Sequence, residues 1–124
     1  MLLESHRTLG YAAIYANAAA GLWMLVAWRI PALRRPAWRW WPVIAAEALM
    51  MVQVVLGVLL VSVEDYAPPR FHMFYGFVAF ITVGLLYSYR YVWKARGWME
   101  LAYGLGGLFI MGLGIRAILQ VSAG

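Results

Sequence analysis

The 124-residue chain contains no cysteine, only five acidic residues and only two histidines. Without a thiol it forms no disulfide framework, thiolate metal site or iron–sulfur cluster. Charged residues make up 12% of the sequence, against about 25% in a soluble domain. It also lacks a glycine-rich phosphate loop, a nucleophile motif and a metalloprotease helix. What fills the space is apolar and aromatic: 65% of residues are hydrophobic, with seven Trp and eight Tyr. A chain this short has no aqueous core large enough to hide such a surface, so lipid is its expected solvent.

Four apolar stretches, at about 8–28, 40–63, 71–91 and 99–119, each approach the roughly 20 residues that cross a bilayer. Glu47 interrupts the second, and Arg116 lies near the end of the fourth. The stretches are continuous and show no dyad alternation, which argues for helices over strands. Pro31, Pro36 and Pro42, the pair Pro68-Pro69, and Gly97 punctuate the intervals. The expected fold is all-α: one membrane domain over residues 1–124, an up-down-up-down four-helix bundle.

The basic residues orient it. Arg29, Arg34, Arg35 and Arg39 lie in the first interval, and Arg90, Lys94 and Arg96 in the third. Arg7, Arg70 and Arg116 lie at the other end, with Glu4, Glu64 and Asp65. The positive-inside rule then places loops one and three in the cytoplasm and both termini outside, in a plasma or inner membrane. The net charge of +5 is thus a topology signal, and no nucleic-acid partner is expected. The amino terminus does not read as a cleaved signal peptide, since the basic flank follows the apolar run. Trp28, Trp38, Trp40, Trp41, Trp93 and Trp98 gather at the cytoplasmic interface as an aromatic belt.

The two halves resemble each other. His6-Arg7-Thr8-Leu9-Gly10-Tyr11 opens the first helix and His72-Met73-Phe74-Tyr75-Gly76-Phe77 the third. Leu56-Gly57 and Leu113-Gly114 recur in the second and fourth, consistent with a hairpin duplication, 1–63 and 64–124.

In such a bundle the first and third helices are parallel and diagonal, so both histidines lie at one depth near the outer surface. Two inward imidazoles at one level are what a six-coordinate haem iron requires. Gly10 and Gly76, four residues on, share each histidine's helix face and leave room for a flat macrocycle. Arg7, Arg70 and Arg116 lie at the rim, where propionates need cationic partners. The plainer readings stay open: an interfacial histidine keeping its polar tip among headgroups, and glycines that serve helix packing. A bare metal ion is disfavoured, because two histidines fill half a shell.

Glu4-Ser5-His6-Arg7-Thr8-Leu9-Gly10 resembles the Glu-x-x-His-Arg-x-x-Gly signature of the haem A synthase family, shorter by one residue between Glu and His. Gln53-Val54-Val55-Leu56-Gly57 is similar to that family's Gln-x-x-Leu-Gly, and His72 corresponds to its second histidine. The resemblance covers about residues 4–80, one half of the family's architecture. It implies a four-helix membrane bundle with His6 and His72 as axial ligands of a b-type haem. Full-length synthases carry a second bundle and a second histidine pair, and place a helix before the first histidine helix. This chain has neither, so the resemblance transfers haem binding better than hydroxylation.

The expected function is therefore a membrane haem b protein, moving electrons or serving as an accessory subunit of a respiratory or redox complex. Other membrane subunits or a second copy are expected partners, and quinone is a further candidate ligand. The alternative is a haem-free structural subunit of a larger membrane complex. Small multidrug transporters share this length but keep an essential glutamate in the first helix, where this chain has none within its apolar run. Of the remaining polar residues, Glu47 is expected to pair with Arg90 or stay neutral, and Glu100 to suit a helix N-terminus. Gln53 and Gly57 are read as helix contacts, with Gln53 bonding Asn17. Met50, Met51 and Met111 read as packing residues.

Overall fold

A computed structural model describes residues 1–123. The chain forms helices α1 (Leu2–Arg29), α2 (Trp41–Ser62), α3 (Arg70–Ser88), α4 (Arg90–Arg96) and α5 (Met99–Ala123). Between α1 and α2 lie two short 3-10 turns, Pro31–Arg34 and Ala37–Trp40. Among the described residues, four helices are long and apolar enough to cross a membrane, α2 counting together with the turn before it. With every backbone group of a span bonded within its own helix, this is the solution a bilayer demands. Outward residues such as Val52, Val55, Phe74 and Leu85 are exposed and apolar, as a lipid-facing surface requires.

Local chemistry explains the boundaries. Pro31 forces the residue before it out of the helical region, and Ile30 is extended at φ −113°, ψ 98°. Pro42 sits in the first turn of α2, where its missing N–H costs nothing. Gly97 takes a left-handed φ of 72°. It ends α4 with hydrogen bonds from Gly97 N to Lys94 O (3.2 Å) and from Trp98 N to Trp93 O (2.8 Å), an arrangement that satisfies the last carbonyls.

Two expectations shift. Helix α1 begins at Leu2, not at Thr8, so His6 lies inside the helix and not at its mouth. Hydropathy reports the surrounding solvent, whereas Glu4 and Arg7 are compatible with helical backbone beside water. The third interval, expected as a loop, contains α4.

The helices do not pack evenly. Helix α1 lies against α5 and α2, α3 lies against α5, and α2 touches α3 only lightly. Along α1 and α5, Ile14 meets Gly114, Asn17 meets Gly107 and Gly21 meets Gly104, a ladder of opposite sense on the two helices. A Cβ added at Gly21 would lie 2.9 Å from the Gly104 carbonyl oxygen, and one at Gly107 would lie 3.0 Å from the Asn17 oxygen. Backbone therefore meets backbone, the mode by which small residues join helices in lipid.

Asn17 is buried and donates from Nδ2 to Ala13 O (2.8 Å) and across to Ala46 O of α2 (3.2 Å). It does not bond Gln53, which instead donates to the His6 carbonyl oxygen. The reason is register: Ala46 and Gln53 are seven residues apart, about two helical turns, so Gln53 lies level with His6.

At the end opposite the histidines, Trp23 Nε1 donates to Arg39 O (3.0 Å) and its ring stacks on Trp38 at 5.5 Å. Arg39 pairs with buried Glu100 at 3.4 Å, so the acid at the start of α5 has a cation as well as a helix end. Glu47, half-buried, forms no ion pair with Arg90 among the described residues. Arg90 instead donates to Tyr87 O (2.7 Å) and stacks over the Tyr87 ring, which outweighs a reach into the bundle.

Candidate functional site at the histidine end

Where α2 and α3 fail to close, α1, α2, α3 and α5 border an open cavity of about 510 Å³, within the roughly 300–1,000 Å³ of cofactor and ligand sites. Its walls are mainly apolar, with Ile14, Val54, Val58, Phe77 and Leu113 among them, and its few polar groups include His6, His72, Gln53 and Arg7. Both histidines named from the sequence thus line one volume.

The rings meet edge to face, their centroids 5.9 Å apart and their planes inclined at 74°. His72 Nδ1 lies 2.8 Å from the Ala117 carbonyl oxygen. A carbonyl only accepts, so Nδ1 carries a proton, and it is Nε2 that the neutral ring would offer as a ligand atom. A backbone carbonyl in this role is how metal-ligating histidines are oriented. His6 is held differently: Gln53 bonds its backbone oxygen, while its own Nδ1 is buried without a hydrogen-bond partner, as is Gln53 Oε1. Buried polar atoms left over in this way call for an explanation in an absent ligand or water.

The glycines divide their labour. A Cβ at Gly57 would sit 3.2 Å from His6 Cε1, so this glycine makes room for the ring. A Cβ at Gly10 would sit 2.8 Å from Gln53 Nε2, so the space beside Gly10 holds the Gln53 amide. At Gly76 an added Cβ meets nothing within 4 Å; that face opens onto the cavity. Of the three arginines, Arg7 belongs to the lining, whereas Arg70 and Arg116 are exposed and outside it.

Among the described residues no group of three metal-ligating side chains exists. A bare ion here would hold two protein donors, half a tetrahedral shell. A metal held in a group that supplies its other ligands would need only the two histidines, whose ring centroids are 5.9 Å apart.

The sequence marks Gln53 and Gly57 through the Gln-x-x-Leu-Gly similarity and assigns them to helix contacts; the structure places both beside His6. The Ala117 carbonyl carries no side-chain signal at all. Together the fold and cavity define a four-span helical protein with paired histidines in an apolar pocket. No family model matches the chain, and no curated protein or solved structure matches it either.

Proposed function

We propose that the chain is a membrane haem b protein in which His6 and His72 are the two axial ligands. The observation that carries this is the convergence of its only two histidines, 5.9 Å apart, on the wall of one apolar cavity of about 510 Å³. The bound group would supply reversible one-electron exchange at iron. The chain's own part is to orient and to exclude. Ala117 O fixes the His72 tautomer, and Gln53 anchors the backbone of the His6 turn. Gly57 makes space for the His6 ring and Gly76 leaves space in the cavity, while the mainly apolar lining would disfavour water beside a bound group. Arg7 is the cation within reach of an acidic substituent at the rim.

The bundle is up-down-up-down, with loops one and three cytoplasmic and both termini outside, a reading supported by the basic residues of those loops. The site then lies near the outer surface of a plasma or inner membrane. It serves electron transfer, alone, as a homodimer or as an accessory subunit of a redox complex, with quinone a candidate donor or acceptor. The resemblance to one bundle of haem A synthase points the same way, without its second histidine pair.

A haem-free structural subunit is the competing reading. In its favour, the two rings already touch and Gln53 fills the space beside Gly10. Expression with ample haem decides between them. The purified protein should be coloured, with sharp b-type bands in the reduced-minus-oxidised spectrum. His6→Ala and His72→Ala should each abolish the low-spin bands. A colourless protein ends the haem reading, and unchanged bands in either variant remove that histidine from the ligand role.

A further inference from the structure

A second cavity, of about 320 Å³, lies at the opposite end of the bundle, between the first interval, α4 and the start of α5. Its lining is Arg34, Arg39, Trp40, Lys94, Gly97, Met99 and Glu100. Three cations thus face one volume with a single acid. Glu100 is engaged by Arg39 at 3.4 Å, which leaves the charges of Arg34 and Lys94 uncompensated: neither side chain has an ion-pair or hydrogen-bond partner among the described residues.

Arg39 is not a loose surface group. Its side chain is 18% exposed, pinned to Glu100 and to Pro36 O (3.0 Å) and stacked 5.2 Å from the Trp40 ring centre. Its Nε is nevertheless buried with no hydrogen-bond partner. An immobilised cation flanked by two uncompensated ones is a preorganised anion receptor. Trp40 and Met99 add an apolar wall beside it. Exposed Trp38, Trp41 and Trp98 surround this end of the bundle, and tryptophan marks the depth of lipid headgroups.

We infer that Arg34, Arg39 and Lys94 form a site for a phosphate-ester anion at this membrane interface. Its source is the headgroup of an anionic phospholipid or a free phosphate compound of the same chemistry. Basic pockets at helix ends recognise lipid phosphate in this way. The site is independent of the histidine cavity and stands whether or not haem binds there.

The test uses the full chain, delipidated in neutral detergent so that no charged surface contributes. Native mass spectrometry then follows titration with phosphatidylglycerol, with phosphatidylcholine and, in a separate calorimetric arm, with inorganic phosphate. One phosphatidylglycerol should bind in preference to phosphatidylcholine. Each basic group near an anionic lipid contributes about five-fold, so Arg34→Gln with Lys94→Gln should weaken binding by more than ten-fold. Arg29→Gln with Arg35→Gln removes equal charge from outside the cavity and should change it by less than two-fold. Lys94→Gln alone, on an exposed side chain, should give about half the effect and guards against misfolding of the double variant. Inorganic phosphate binding with the same variant dependence identifies a soluble ligand; binding of the lipid alone identifies the headgroup. Equal losses in both double variants, or no preference for phosphatidylglycerol, would overturn the site.

Discussion

The contact of α1 with α5 and the gap between α2 and α3 are opposite solutions to the same solvent. Along α1 and α5, Gly21, Gly104 and Gly107 bring backbone against backbone, with Met24 and Ile110 fully buried nearby. Between α2 and α3 the contact is slight, and Gly76 faces open space. In lipid no hydrophobic force closes such a gap, since acyl chains are as apolar as the side chains; only close packing and hydrogen bonds hold helices together. The chain has therefore placed its adhesive on one side. The seam makes a rigid frame, and the open side keeps a volume of ligand size with both histidines on its wall.

The sharpest way to break that contrast is to wedge the seam. Gly107→Val adds a branched side chain whose first carbon would already lie 3.0 Å from the Asn17 oxygen and 3.0 Å from the Gly21 Cα. Both are backbone atoms with little freedom to yield, so the loss should reach about 3 kcal/mol, the upper range for overpacking. Reversible unfolding in mixed detergent, followed by circular dichroism, measures it. A variant as stable as the parent would mean that the seam does not hold the bundle.

Asn17→Leu should come next. It removes the bonds to Ala13 O and Ala46 O at the buried junction of α1 with α2 and α5. Interhelical hydrogen bonds in membranes contribute about 1 kcal/mol each, and a leucine must also fit the fully buried site of an asparagine. A loss of about 1–2 kcal/mol is expected in the same assay. A loss larger than that of Gly107→Val would reverse the ranking, making the polar clamp and not the glycine seam the main adhesive.

Much of this frame was legible before the structure. The four spans follow from length and hydropathy, and the histidines fall at one end because each lies in the first turns of an odd-numbered span. The seam was not read, although Gly104 and Gly107 lie one turn apart on one face and Gly21 is a small residue in the facing span. Small residues announce a close contact but not which helix supplies the other side. The ion pair of Arg39 with Glu100 and the bond of Gln53 to His6 escaped for a related reason. Each depends on the relative height of two helices, which the proline-broken first interval and α4 set. Within the candidate site, the sequence places two histidines at one end of the bundle, whereas the Ala117 carbonyl and the orphaned His6 Nδ1 belong to backbone and burial.

Gln53→Leu probes the border between the two regions. It deletes the bond to His6 O and the unpaired Oε1 together, so the net stability change should stay below about 1 kcal/mol. The turn carrying His6 loses its anchor, however. In haem-loaded protein the low-spin bands should weaken or shift, while Gln53→Glu, which keeps the size but not the donor, should do the same. Bands identical to the parent in both variants would show that Gln53 has no part in positioning the ring.

The smallest effect on stability is expected at Gly76, and it separates frame from cavity most cleanly. An added Cβ there meets nothing within 4 Å, so Gly76→Ala should change unfolding by less than about 0.5 kcal/mol and gain slightly in helix propensity. Gly76→Leu should be nearly as stable, because its side chain enters existing space and displaces no packed group. That same space is the room proposed for the macrocycle. Haem content per protein, read from the pyridine haemochrome, should therefore fall steeply in Gly76→Leu while the unfolding curve stays in place. If both fall together, the open side supports the bundle after all. If neither falls, the volume beside Gly76 is lipid-facing slack and has no part in holding a bound group.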